Sequence, residues 1–108
     1  PLEGLAKFVE NSRAMEKEMR SKFLPYLRHQ IEQARLRGQG GEAAAMGRSL
    51  QYWEGIYSSF AQIGKNKNSP AQLSELESQL RMATGGKNVW EIADNMGVFW
   101  EGLAKFAN

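Results

Sequence analysis

Met46-Gly47-Arg48-Ser49-Leu50-Gln51-Tyr52-Trp53-Glu54-Gly55-Ile56-Tyr57-Ser58-Ser59-Phe60 decides the fold class. Its large apolar residues recur in steps of three and four, at Met46, Leu50, Trp53, Ile56/Tyr57 and Phe60, and Ile63 continues the series. That is the stripe of an amphipathic helix, and it lacks the period of two that a half-buried strand needs. The spacing predicts a helix near Glu42–Gly64, opened by the loop Gln39-Gly40-Gly41.

The same period extends to both sides. From Leu2 to about Arg37, the residues Leu5, Phe8, Val9, Met15, Met19, Phe23, Tyr26 and Leu27 fall within one third of a helical wheel. Pro25 lacks an N–H and clashes with the preceding turn, which predicts a kink or break near Lys22–Leu24. Asn11/Ser12 offers an earlier cap, and Gly38 suits a left-handed C-terminal residue. Past the polar connector Lys65-Asn66-Lys67-Asn68, Ser69-Pro70-Ala71-Gln72 reads as an N-cap, a first-turn proline and a capping-box partner. Leu73, Leu76, Leu80 and Ala83 line that helix and Gly85-Gly86 ends it. Asn88 with Glu91 forms a second capping box, and Ile92, Met96, Phe99, Trp100, Leu103 and Phe106 stripe a last helix. The expectation is an all-α fold of four to five helices in antiparallel hairpins.

The chain has 108 residues, enough for one domain with its own core. It contains no cysteine, which excludes disulfides and thiolate chemistry. It carries no run of 18 apolar residues and no basic-then-apolar leader, so the expected setting is cytoplasmic or intracellular. Net charge is +2, with an excess of three positive charges in residues 1–38 and of two negative charges in residues 68–108.

Glu3-Gly4-Leu5-Ala6-Lys7-Phe8 recurs identically as Glu101-Gly102-Leu103-Ala104-Lys105-Phe106, with a looser copy at Glu54-Gly55-Ile56-Tyr57-Ser58-Ser59-Phe60. Ile31-Glu32-Gln33 before Gly40-Gly41 aligns with Leu76-Glu77-Ser78 before Gly85-Gly86, and Trp53-Glu54-Gly55 aligns with Trp100-Glu101-Gly102. These matches predict an internal duplication of a helical-hairpin unit. Its copies span residues 13–64 and 69–108, and residues 2–12 resemble the tail of a preceding unit. An interior helical glycine costs about 1 kcal/mol relative to alanine. Gly4, Gly47, Gly55, Gly97 and Gly102 are therefore expected where helices approach closely.

Catalytic patterns are sparse. His29 is the sole histidine and reads as an exposed helical residue. The Glu75/Glu77 and Glu91/Asp94 pairs fit solvated or first-turn acids, and no Glu-x-x-His motif is present. Neither Gly-rich turn has the spacing of a phosphate loop. The chain is read as non-enzymatic, with no cofactor and no metal. Arg13, Lys17, Arg20, Arg28 and Arg35 share about an 80° sector of a continuous helix. They are candidates for contact with nucleic acid or another anion. Tyr52-Trp53 and Phe99-Trp100 are adjacent aromatic pairs whose members diverge by about 100°, so one of each pair reaches the edge of the core.

Trp53-Glu54-Gly55, near the middle of a Cys-free helical chain, resembles the small secreted helical hairpins named for a Trp-x-Gly motif. The resemblance implies a turn at the motif between two long helices. The chain departs from that pattern, because the stripe runs through the motif and Ser69-Pro70 and Gly85-Gly86 interrupt a long second helix. The family's acidic-aromatic tail is also missing from Lys105–Asn108. The expected role is a protein-interaction or assembly module, part of a larger or oligomeric structure, meeting a protein partner or its own copy through Tyr52, Trp53, Phe99 and Trp100. A nucleic-acid-binding domain using the basic stripe is the alternative, and the secreted hairpin is a third and less favoured one.

Overall fold

A computed structural model of the chain describes residues 2–65, 68–87 and 91–92, and within these the fold is all-α. Helix α1 (Leu2–Glu18) runs through a π turn, Met19–Phe23, into α2 (Leu24–Leu36). After the turn at Arg37–Gln39 come α3 (Gly40–Ile63) and α4 (Pro70–Ala83). No strand occurs among the described residues.

The first 35 helical positions form one uninterrupted rod. Pro25 neither breaks it nor ends it, and Asn11/Ser12 does not cap a separate helix. The proline is absorbed by the π turn. There the Leu24 N–H donates to the Met19 carbonyl, five residues back. Widening the turn in this way inserts one residue and relaxes the contact between a proline ring and the carbonyl four residues earlier. The insertion also has a register consequence. Ser12, Met15 and Met19 step inward by three and four, but the next buried residue is Phe23 rather than residue 22. With the extra residue accommodated, Leu27, Gln30 and Ala34 continue the same buried seam. A rod of this length spans about 52 Å at 1.5 Å per residue. It sets the long dimension of the molecule, whose extents are 51 × 21 × 21 Å.

Gly38, at φ +75°, reverses the chain, as its position after the last stripe residue predicts. α3 then packs antiparallel along the rod, bringing Trp53 to Phe23, Tyr57 to Glu16 and Gly64 to Arg13. α3 starts at Gly40, so Gly40 and Gly41 are its first turn rather than a loop. In the other turn Gly85 and Gly86 are themselves left-handed, at φ +72° and +92°. The Gly-Gly pairs aligned by the duplication are therefore not equivalent in backbone. The remainder of the proposed second unit, including Asn88, Met96 and the second copy of the hexapeptide, lies outside the described residues.

α4 begins with the expected capping box. The Ser69 hydroxyl accepts from the Gln72 N–H, and the Gln72 side chain accepts from the Ser69 N–H. Leu73, Leu76 and Leu80 are buried against the α1/α3 half of the hairpin. Ala83 is exposed, and Thr84 is buried instead, with its hydroxyl donating to the Leu80 carbonyl at 2.9 Å. At the end of α3, the Asn68 side-chain amide donates to the carbonyls of Gln62 and Lys65 at 2.9 and 3.0 Å. The core joins Met19, Phe23 and Leu27 of the rod to Trp53, Ile56 and Phe60 of α3, with Ile92 also buried.

Candidate functional site

The phase of α3 separates the two residues of its aromatic pair. Trp53 lies in register with Met46 and Phe60 and is 3% exposed, its ring edge-on to Phe23 at 5.3 Å between centroids. Tyr52 lies about 100° around the helix and is 39% exposed, with its ring edge-on to Trp53 at 5.1 Å. The indole anchors the rod to α3, and the phenol is the member offered to solvent. Phe99 and Trp100, the other expected pair, lie outside the described residues.

Trp53-Glu54-Gly55 occupies unbroken helix, so the turn implied by a Trp-x-Gly hairpin is absent from this motif. The glycines also correct an expectation. A Cβ built on Gly4, Gly47 or Gly55 would meet nothing within 4 Å, so close helix approach does not account for them. Gly97 and Gly102 lie outside the described residues. The crowded glycine is Gly64, where a Cβ would stand 3.0 Å from Arg13 Cγ and 3.3 Å from the Phe60 carbonyl oxygen.

That contact places the first member of the basic stripe. Arg13 Nε donates to the Gly64 carbonyl at 2.9 Å, setting a cation at the negative end of the α3 dipole. Arg20 pairs with Glu16 at 2.8 Å, Arg28 with Glu54 of α3 at 3.1 Å, and Arg35 with Glu32 at 3.1 Å. Lys17 is exposed and has no ion pair among the described residues. Four of the five basic side chains are thus engaged within the molecule rather than forming an open cationic track. The cross-helix contacts Arg13–Gly64 and Arg28–Glu54 were not legible in the linear pattern, because they depend on how far α3 slides along the rod.

A small polar network lies beside the Arg13 contact. One Glu16 carboxylate oxygen accepts from both Arg20 Nε and the Tyr57 hydroxyl, the latter at 3.1 Å. The Arg20 hydrogen bond holds the Glu16 carboxyl below its ordinary range, partial desolvation opposes this, and the Tyr57 hydroxyl adds to it. Tyr57 is pushed up, first by desolvation and then by its bond to Glu16. One carboxylate is thus shared between a guanidinium and a phenol. A shallow cleft of about 160 Å³ adjoins it, lined by Arg13, Glu16, Phe60, Ala61, Gly64 and Lys65. Glu75 accepts from Gln79, and Glu77 pairs with Arg81. Asp94, the partner assigned to Glu91, lies outside the described residues. Among the described residues no three His, Asp or Glu side chains gather as metal ligands, and no helix is long and apolar enough to cross a membrane.

Compared with protein-family models, curated proteins and solved structures, the chain matches none. Its function is therefore argued from its own surface.

Proposed function

We propose that the chain is a non-catalytic helical assembly module that works through protein contact, including contact with its own copies. The observation that carries this reading is the exposed Tyr52, standing over the buried Trp53 on an outward strip of α3 where Arg48 is the one charged residue. Interfaces are enriched in tyrosine and poor in charge at their centres, and the Trp53 anchor holds the phenol on a rigid element. The sparse catalytic patterning of the sequence points the same way.

Sedimentation equilibrium from low micromolar to millimolar chain is expected to give a mass that rises with concentration. A constant monomer mass, with no partner retained by the immobilised chain, would overturn the proposal. The alternative of nucleic-acid binding draws on the positive excess in residues 1–38. The guanidinium groups of Arg20, Arg28 and Arg35 are exposed, and ion pairs of exposed groups hold weakly, so phosphate competes for them. Retention on DNA or RNA that falls steeply with salt, and is lost when Arg13, Arg20 and Arg28 are changed to Glu, would favour that alternative.

A further inference from the structure

Gln72, Glu75, Leu76 and Gln79 recur at steps of three and one in α4, so they share one face of that helix. With Gln62 from the last turn of α3 and Asn68 from the connector, they line a cleft of about 220 Å³. Leu76 is buried and gives the cleft an apolar floor. The polar groups around it are oriented by bonds within the chain. The capping box holds Gln72, whose Oε1 accepts from the Ser69 N–H at 2.7 Å, leaving its side-chain NH₂ without a partner among the described residues. The Asn68 amide nitrogen is anchored to the Gln62 and Lys65 carbonyls, leaving Oδ1 as an acceptor. Gln79 Nε2 donates to Glu75 Oε1 at 3.3 Å, leaving the Gln79 oxygen and the second carboxylate oxygen.

The oriented groups therefore offer acceptors at Asn68, Glu75 and Gln79 against one donor group at Gln72. The charge of the cleft is negative. Glu16, Glu18, Glu32, Glu54 and Glu77 each have a basic partner, whereas Glu75 has none among the described residues. The last carbonyls of α3 add the negative end of its dipole beside Gln62. Lys65 lines the other cleft, beside Arg13.

We infer that this cleft binds the guanidinium group of an arginine, carried by a peptide segment or by the free amino acid. A guanidinium presents five N–H donors in one plane and no acceptor, which suits an acceptor-rich cleft with a carboxylate. It is also weakly enough hydrated to lie against an apolar surface such as Leu76, where a compact ammonium holds its water. The NH₂ group of Gln72 is left for the carbonyl or carboxylate at the other end of the arginine. An anion in this cleft meets the Glu75 charge, and an apolar ligand strands the amides without hydrogen bonds. The inference concerns α4 and stands independently of the assembly reading at Tyr52.

Nuclear magnetic resonance titration of the isotope-labelled chain with N-acetylarginine methylamide at low ionic strength tests it. The side-chain amide signals of Asn68, Gln72 and Gln79 are expected to shift and saturate, and that of Gln51, outside the cleft, to stay in place. The citrulline analogue, in which a neutral urea replaces the guanidinium, is expected to bind about fivefold more weakly. Glu75→Gln is expected to weaken binding of the arginine compound by about fivefold, with helix content by circular dichroism unchanged. Glu10→Gln, outside the cleft, is expected to leave binding as it is. Free arginine in place of the blocked compound identifies the source. Tighter binding of the free amino acid assigns the cleft to a small molecule, and equal or weaker binding assigns it to an arginine within a peptide. Shifts that fail to saturate, equal binding of the citrulline analogue, or undiminished binding by Glu75→Gln overturns the inference.

Discussion

The glycines show most clearly how residue chemistry and tertiary position combine. Gly47 and Gly64 lie in or beside the same helix, yet they stand in opposite surroundings. At Gly47 a methyl group meets open space, so Gly47→Ala is expected to stabilise the fold by about 1 kcal/mol in urea denaturation. At Gly64 the methyl group meets Arg13 Cγ and the Phe60 carbonyl, so Gly64→Ala is expected to displace Arg13 from the Gly64 carbonyl and to destabilise the fold. Equal effects from the two substitutions would refute this account. Glu16 makes a second prediction at this scale. A carboxyl whose folded-state pKa lies below its unfolded value stabilises the fold above the unfolded value, and the contribution disappears as pH falls through the folded one. The stability lost in Glu16→Gln should therefore be greatest above pH 4.5 and shrink on acidification below it. For Tyr57, pushed up from 10.0, the contribution is present below that value and lost as pH rises through the folded one. A difference between wild type and Glu16→Gln that stays constant from pH 3 to pH 7 would show that Glu16 is not held by these bonds. The role of Trp53 was legible in the sequence because it shares a phase with Met46 and Phe60. The surroundings of the glycines were not legible, because an open and a crowded glycine read alike until the neighbouring helix is in place.

At the scale of elements, the apolar stripes identified the helices and the capping box fixed the start of α4. The π turn is invisible at the regular helical period of 3.6 residues per turn. Its signature is present nevertheless. Met15, Met19, Phe23 and Leu27 make three successive steps of four, where a regular helical seam alternates between three and four. If the turn is a one-residue insertion that accommodates Pro25, deleting Lys22 restores the ordinary spacing but presses the proline ring against the preceding turn. Lys22 is exposed, so the deletion removes no core contact. Deleting Lys22 alone should cost about 3 kcal/mol, and should cost little when combined with Pro25→Ala. Chemical denaturation of the four chains in this cycle measures the coupling. Additive effects would mean that the π turn and the proline are energetically independent.

The shape of the whole molecule follows from the rod, and it separates the modes of assembly open to it. α3 begins directly after the turn at Gly38, so its midpoint lies roughly 18 Å from that end of the molecule. About 33 Å of the 51 Å long axis then lies beyond the midpoint. Two copies paired side by side, with a two-fold axis level with the middle of α3, would double the longer arm and measure about 66 Å. Association through the helix ends, as in a stack of repeated hairpin units, gives instead a particle about 100 Å long, growing further with each added copy. Small-angle scattering from concentrated chain distinguishes the two without any substitution. Side-by-side pairing of this kind predicts a maximum dimension that rises from about 51 Å to about 66 Å and then stops, because an isologous interface closes on itself once both copies are engaged. A dimension that reaches 100 Å or keeps lengthening with concentration would assign assembly to the ends of the rod and exclude the closed side-by-side pair.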